Sequence, residues 1–136
     1  VGIPPLYGLA KRLTERGCRI AAVLGYNRAS EIFLAEELKA LGAEVIVATA
    51  DGSAGIKGLV TDGMAAVSDY TYLYTCGPEP MLKAVYGVCR TSGQFSFEER
   101  MGCGFGACMG CSCKTKYGNK RICKDGPVLE KEEIVW

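Results

Sequence analysis

The chain has 136 residues and a formal net charge of +1, a size typical of one domain with at most a small appendage. The balanced charge gives no reason to expect a nucleic-acid or membrane partner, and no apolar run approaches the roughly 20 residues that span a bilayer. The absence of histidine excludes histidine acid–base catalysis, Ser-His-Asp triads, His-bearing zinc sites and Rieske ligation.

Predicted helices and strands alternate along the first 97 residues, the helices with apolar residues at helical spacing and the strands as apolar runs. In chain order the pattern predicts a helix over 5–17, a strand over 20–24, a helix capped by Asn27 or Ser30 and ending at Gly42, a strand over 45–48, a helix over 59–67, a strand over 70–75, a helix over 81–89 and a strand over 95–97. Such alternation predicts an α/β fold with right-handed crossovers and a parallel sheet covered by helices on both faces.

No strand precedes the first helix. We therefore expect a Rossmann-like nucleotide-binding sheet truncated at its first strand, in a fragment whose natural start lies upstream. The composition changes after Gly93, since residues 102–126 are rich in Cys, Gly and Lys and cannot build an apolar core. Such a segment needs a cofactor to hold it together, with Tyr117–Lys120 as a hairpin tip. The predicted domains are a nucleotide-binding domain over 1–94 and a small Cys-rich subdomain over 95–136.

The cysteine spacing is the strongest signal in the sequence. Five of the eight cysteines fall between positions 103 and 123, which favours metal or cofactor ligation in a reducing, cytoplasmic compartment over a disulfide scaffold. Cys103, Cys108 and Cys111 are separated by four and two residues, and Cys123 follows after eleven more. This spacing is typical of plant-type [2Fe–2S] sites. A structural zinc site with four thiolates and incidental cysteines remain alternatives. Cys113 is a spare thiol.

The second candidate site lies at the ends of the predicted strands. Ligands of open parallel sheets bind beyond the carboxyl ends of the strands, and a helix N-terminus favours a pyrophosphate. The alternative is that Gly and Pro merely punctuate these strand ends. Asp51 favours NAD over NADP, because a carboxylate there accepts bonds from ribose hydroxyls and repels a 2′-phosphate. The candidate cofactor-binding residues are Gly2, Ile3, Pro4, Gly25, Asn27, Arg28, Asp51, Gly52, Ser53, Thr75, Cys76, Gly77 and Pro78.

Two motifs carry a family resemblance. The strand-end turns, the Thr75-Cys76-Gly77-Pro78-x-x-Met81 motif and the Cys-rich tail resemble the ferredoxin–NADP reductase superfamily, which adds Met81 to the candidate cofactor-binding residues. Within it, FEERMGCGFGACMGC at 97–111 and ICKDGPV at 122–128 are similar to the electron-transfer subunits of class 1B dihydroorotate dehydrogenases. The resemblance covers essentially the whole chain. It implies an NAD-binding domain of ferredoxin-reductase type over 1–94 and a [2Fe–2S] cluster-binding subdomain over 95–136.

The resemblance also implies cofactors, a partner and residue roles. An FMN-containing catalytic subunit would oxidise dihydroorotate in pyrimidine biosynthesis, in a heterotetramer, and electrons would pass through [2Fe–2S] and FAD to NAD. FAD would lie at the boundary with an N-terminal β-barrel, which this sequence lacks. Cys103, Cys108, Cys111 and Cys123 match the cluster ligands, and Gly77 and Pro78 match the turn where the nicotinamide approaches the flavin. Cys76 and Glu98 match catalytic positions near these rings, the alternatives being a buried small residue and a surface charge.

Two further functions remain open. One is a related NAD(P)H-linked reductase subunit that serves ferredoxin or sulfide metabolism, against which the preference for NAD inferred from Asp51 argues. The other is a zinc-stabilised nucleotide-binding module without a redox role, against which the four-residue spacing of Cys103 and Cys108 argues.

Overall fold

The computed structural model describes residues 2–136, which fold as two compact units. The first unit ends at Asp69 and the second comprises Tyr70–Trp136. The domain boundary predicted between residues 94 and 95 falls inside a strand of the second unit, and the functional division of the chain stays a prediction. Within residues 2–136, none of the helices is both long and apolar enough to cross a bilayer.

The first unit is a parallel sheet with helices on both faces, as predicted. The elements are α1 (Ile3–Glu15), β1 (Ala21–Tyr26), α2 (Ala35–Ala40), β2 (Glu44–Thr49), β3 (Ile56–Lys57) and α3 (Val60–Met64). The strands lie in the order β1-β2-β3. Leu24 on β1 packs with Ala10 of α1 and Leu38 of α2 on one face, while Gly63 of α3 lies against the Val23 side chain on the other.

The predicted helix from Asn27 or Ser30 to Gly42 is wrong in its first half. A single 3₁₀ turn at Ala29–Glu31 is followed by extended backbone, and neither predicted cap residue precedes α2. The hydroxyl of Tyr26 donates to the Phe33 carbonyl at 2.7 Å, and Leu34 has a φ of +63°. This left-handed residue interrupts the helical path, so α2 begins only at Ala35. The prediction also missed β3 within the 51–58 loop.

The second unit contains a mixed three-stranded sheet and a separate hairpin. The elements are β4 (Leu73–Gly77), α4 (Glu79–Val88), β5 (Gly93–Phe97), β6 (Ser112–Thr115), β7 (Gly118–Arg121), α5 (Ile122–Asp125) and β8 (Val128–Glu130). β4 and β5 are parallel, and β8 pairs with β5 in the antiparallel direction. The side chains of Leu82, Phe95, Ile122 and Leu129 are fully buried.

The β6–β7 hairpin is fastened to the C-terminal segment. The backbone N–H of Lys116 donates to the Glu133 carbonyl at 2.8 Å, and the Lys120 ammonium lies 3.0 Å from the largely buried Glu133 carboxylate. Strand pairing places the two-residue tip at Lys116 and Tyr117, whereas the sequence predicted it at Tyr117–Lys120. The hairpin and the cysteine segment thus belong to a unit with an apolar core of its own.

Candidate functional site

The three-cysteine loop, defined here as residues 103–111, is irregular backbone that leads into β6. Cys111 at its end is buried, and its carbonyl accepts the backbone N–H of Ile122 at 3.1 Å. Cys123 lies in α5, a short helix that the sequence did not predict. The bond from Ile122 therefore brings the fourth cysteine beside the third, although eleven residues separate them in the chain.

Backbone N–H groups point at the cysteine sulfurs. The Cys103 sulfur accepts the N–H of Ala107 at 3.2 Å and that of Cys108 at 3.5 Å. The Cys111 sulfur accepts the N–H of Cys123 at 3.3 Å. The Cys108 sulfur accepts the N–H of Gly110 at 3.5 Å. Donors in this arrangement favour thiolates over thiols, because they stabilise negative charge on sulfur.

The pKa values follow this arrangement. Backbone donation from Cys108, and next from Phe105, lowers the pKa of Cys103 to about 6. Backbone donation from Cys123 lowers the pKa of Cys111. The pKa of Cys123 is raised, mainly because its side chain shares a hydrogen bond with Cys111. The loop thus already favours the thiolate form at two of the four predicted ligands.

Backbone bonds link the four predicted ligands in two pairs. The Cys103 sulfur accepts the N–H of Cys108, and the Cys111 sulfur accepts the N–H of Cys123. Within residues 2–136, no three Cys, Asp or Glu side chains converge closely enough to hold a metal ion as they stand. The ligand assignment therefore stays a prediction from spacing.

The donor set fits an iron–sulfur cluster in its chemistry. Four thiolates are the ligands that such clusters take, and sulfur-directed N–H groups suit an anionic group. The backbone just before the three-cysteine loop passes close to one of its sulfurs, since a Cβ added at Gly102 would lie 3.3 Å from the Cys108 sulfur.

Cys113 has a different environment from the four predicted ligands. Burial, and next the nearby Glu99 and Glu133 carboxylates, raise its pKa. Its side chain lines a cavity of about 220 Å³ together with Phe97 and Trp136. These surroundings disfavour the thiolate, which agrees with its interpretation as a spare thiol.

In the first unit, the carboxyl ends of β1 and β2 carry a connected polar edge. The Asp51 carboxylate accepts the backbone N–H of Ser53 at 2.9 Å and its hydroxyl at 2.6 Å. The Ser53 hydroxyl oxygen accepts the N–H of Ala29 at 2.7 Å. These bonds, the Ser53 hydroxyl first, lower the pKa of Asp51, which is therefore an exposed carboxylate at neutral pH.

The other predicted residues of the first unit take distinct places. Asn27 receives a bond at its carbonyl from the Asp51 N–H at 3.1 Å, and Arg28 pairs with Glu31 at 3.5 Å. Gly25 faces α3 closely, since a Cβ there would lie 2.5 Å from the Val60 side chain. Gly52 lies in the exposed turn beside Asp51, and Gly2 precedes α1, whose first turn holds Ile3 and Pro4.

The predicted residues of the second unit's strand end are Thr75, Cys76, Gly77, Pro78 and Met81. Thr75 is buried, and Cys76 is half-buried. Cys76 and Gly77 end β4 rather than forming the predicted turn, and Pro78 caps α4. Met81 covers Gly77, where a Cβ would lie 2.7 Å from the Met81 methyl group.

Three charged residues of the second unit lie near the cysteine segment in sequence. Glu98 is exposed and directly follows β5. Sequence reasoning missed Arg121, whose Nη1 donates to the Gly106 carbonyl at 2.8 Å, and its partner Asp125. The only signal for them was a pair of opposite charges flanking Cys123.

The cysteine segment and the chain as a whole are similar in sequence to known proteins. Residues 98–135 match the family described as the iron–sulfur cluster binding domain of dihydroorotate dehydrogenase B. The chain is 47% identical to the dihydroorotate dehydrogenase B (NAD(+)) electron transfer subunit of Shouchella clausii, with 99% of this chain and 54% of that protein covered. The subunit of the same name from Bacillus caldolyticus is 46% identical, with 99% and 54% covered. The chain thus spans about half the length of these relatives.

One solved structure has the same fold over the whole chain. It belongs to work on an NADH-dependent reduced ferredoxin-NADP oxidoreductase and matches with a TM-score of 0.85 at 33% identity, covering 100% of this chain and 51% of that one. The α/β fold and the cysteine segment thus define a ferredoxin-reductase-type chain with an iron–sulfur domain. Over residues 98–135 the chain is similar to the iron–sulfur cluster binding domain of dihydroorotate dehydrogenase B, and over its whole length it is similar to the electron transfer subunits of that enzyme.

Proposed function

We propose that this chain transfers electrons in an NAD-linked dihydroorotate dehydrogenase of the cytoplasm. In this proposal a [2Fe–2S] cluster is held by Cys103, Cys108, Cys111 and Cys123, and FAD and NAD complete the route. The observation that carries it is the three-cysteine loop with its sulfur-directed N–H groups, within the segment that matches the family. An FMN-containing catalytic subunit that oxidises dihydroorotate is the proposed partner, in a heterotetramer, because the relatives are named as subunits of that enzyme.

The chain's own residues bind and orient the redox groups. The bound cofactors supply the redox chemistry, since a flavin exchanges single electrons as well as hydrides. The Asp51 carboxylate accepts hydrogen bonds from the hydroxyls of the NAD ribose. Gly77, Pro78 and Met81 form the strand end where the nicotinamide would lie. Cys76 and Glu98 are proposed to lie near the reacting rings. Gly2, Ile3 and Pro4 place the N-terminus of α1 toward a pyrophosphate.

The first test is a visible spectrum of anaerobically purified protein, with iron, sulfide and zinc assayed on the same sample. We expect broad visible absorption that bleaches with dithionite, and about two irons and two sulfides per chain, as [2Fe–2S] requires. A colourless protein that holds about one zinc even after iron–sulfur reconstitution would contradict the redox function. It would instead support the zinc-stabilised nucleotide-binding module.

A second candidate is a reductase subunit that serves ferredoxin or sulfide metabolism. The 33%-identical structure from an NADH-dependent ferredoxin-NADP oxidoreductase favours it, whereas the 47%-identical relative favours the dihydroorotate enzyme. Co-expression with the adjacent genes separates the two. Co-purification of an FMN protein that oxidises dihydroorotate supports the first candidate and excludes the second.

Asp51→Asn is expected to weaken NADH binding roughly tenfold and to reduce the preference for NADH over NADPH, because the amide loses the charge that repels a 2′-phosphate. Titration of both nucleotides, followed by fluorescence, measures this. Glu44→Gln is the matched control, since Glu44 is an exposed carboxylate at the opposite end of β2. An unchanged NADH-to-NADPH preference in Asp51→Asn would exclude Asp51 from the ribose site.

A further inference from the structure

Gly106 joins the three-cysteine loop to the segment that carries Cys123. The residue is buried, and its φ of +93° lies in the region that favours glycine. A Cβ at Gly106 would lie 2.8 Å from Cδ and 3.1 Å from Cβ of Lys124. Gly106 thus packs directly against Lys124, the residue that follows Cys123 in the chain.

Arg121 holds the Gly106 peptide. Its Nη1 donates to the Gly106 carbonyl oxygen at 2.8 Å, although the two residues are fifteen positions apart in the chain. The Asp125 carboxylate accepts the backbone N–H of Arg121 at 2.8 Å and lies 3.4 Å from its Nε. Asp125 thereby fixes the guanidinium across α5, the helix that contains Cys123.

The contact with the Gly106 carbonyl makes this arrangement more specific than an isolated surface ion pair. The side chains of Arg121 and Asp125 are 29% and 32% exposed. A guanidinium offers several donors in a fixed plane, so one side chain bonds a carbonyl and a carboxylate together. Arg121 also approaches the Met109 sulfur at 4.0 Å, so it contacts the loop on both sides of Cys108.

We propose that Arg121 is a positioning residue for the iron–sulfur cluster, holding the three-cysteine loop against Cys123 and placing a fixed positive charge beside it. This inference rests on the proposed function, because it requires a cluster on these cysteines. Reduction adds one negative charge to an already anionic cluster, so a nearby cation stabilises the reduced form. Asp125 acts in the opposite direction and also aims the guanidinium.

The test compares three variants of the reconstituted chain with the unchanged protein. Arg121→Gln is expected to lower the ratio of reduced to oxidised cluster at a fixed potential about tenfold, a shift of about 59 mV for a one-electron couple. It is also expected to release iron to a chelator several-fold faster. Arg121→Lys recovers most of the ratio but not the iron retention, because an ammonium cannot bond Gly106 and Asp125 in the same way. Asp125→Asn raises the ratio.

Arg90→Gln is the matched control, because it removes an exposed positive charge from the same unit outside the cysteine segment. We expect Arg90→Gln to change neither the ratio of reduced to oxidised cluster nor the rate of iron release. If Arg121→Gln retains the potential and the iron retention of the unchanged protein, the inference is overturned and the proposed function stands. If Arg121→Gln takes up no cluster, the test rests on Asp125→Asn. A ratio of reduced to oxidised cluster that does not rise in Asp125→Asn would then overturn the inference. If the unchanged chain takes up no iron and sulfide, the proposed function fails and this inference with it.

Discussion

Cys123→Ser is expected to abolish the visible absorption of the reconstituted protein, or to reduce it to a small remainder, whereas Cys113→Ser is expected to leave it intact. A serine hydroxyl is a poor replacement for a thiolate ligand of iron. Cys123 donates its backbone N–H to the Cys111 sulfur, so it lies beside the last cysteine of the three-cysteine loop. The Cys113 side chain instead lines a cavity with Phe97 and Trp136, and the Glu99 and Glu133 carboxylates help to raise its pKa.

Iron and sulfide assays of the two serine variants, prepared side by side, measure this difference. Cys18→Ser is a further control, since Cys18 is exposed and lies in the first unit. Loss of colour in Cys113→Ser with retention in Cys123→Ser would show that the ligand set is wrong. Equal retention in both would favour a site on three of the cysteines.

Gly55→Ala is expected to lower the free energy of unfolding of the first unit by about 3 kcal/mol. Gly55 has a φ of +61°, and a Cβ there would overlap the Val47 carbonyl oxygen and lie 2.8 Å from its carbon. Because the nearest atoms are the Val47 backbone, no flexible side chain can give way. The loop from Asp51 would have to move, and with it the bonds between buried Thr49 and Ala54 at 2.6 and 3.2 Å.

Urea denaturation followed by circular dichroism measures the loss in Gly55→Ala. Gly17→Ala is the matched control, because Gly17 has a similar φ of +79° with nothing within 4 Å of an added Cβ. We expect a loss of about 1 kcal/mol there, from backbone strain alone. Equal losses in the two variants would mean that the loop yields without cost and that the contact with Val47 does not fix it.

The sequence predicted the order of the elements because burial gives each type of element a recognisable pattern of apolar residues. Leu24 and Val23 point to opposite faces of β1, and both pack against helices, so a continuous apolar run marks this strand. The interruption of the predicted helix before α2 has no comparable pattern in the sequence. It depends on the left-handed backbone of Leu34, a residue type that rarely adopts it, and on the hydroxyl of Tyr26 reaching the Phe33 carbonyl.

In the candidate site, too, some features could be predicted from the sequence and others could not. Cysteine spacing is visible in a sequence because ligation needs those side chains at those positions. Asp51 was predictable from its place at a strand end. The bond from the Ala29 N–H to the Ser53 hydroxyl, and that from Arg121 to the Gly106 carbonyl, were not. Each involves a backbone group, which every residue carries, and joins positions far apart in the chain.

The donors that face the sulfurs have a consequence for the speed of electron transfer. The N–H groups of Ala107, Cys108, Gly110 and Cys123 belong to the backbone and cannot rotate away as water molecules do. A charge that arrives at these sulfurs meets dipoles that are already oriented, so little nuclear rearrangement accompanies it. For the proposed cluster on these cysteines, we therefore expect a small reorganisation energy and a low barrier to electron transfer in either direction.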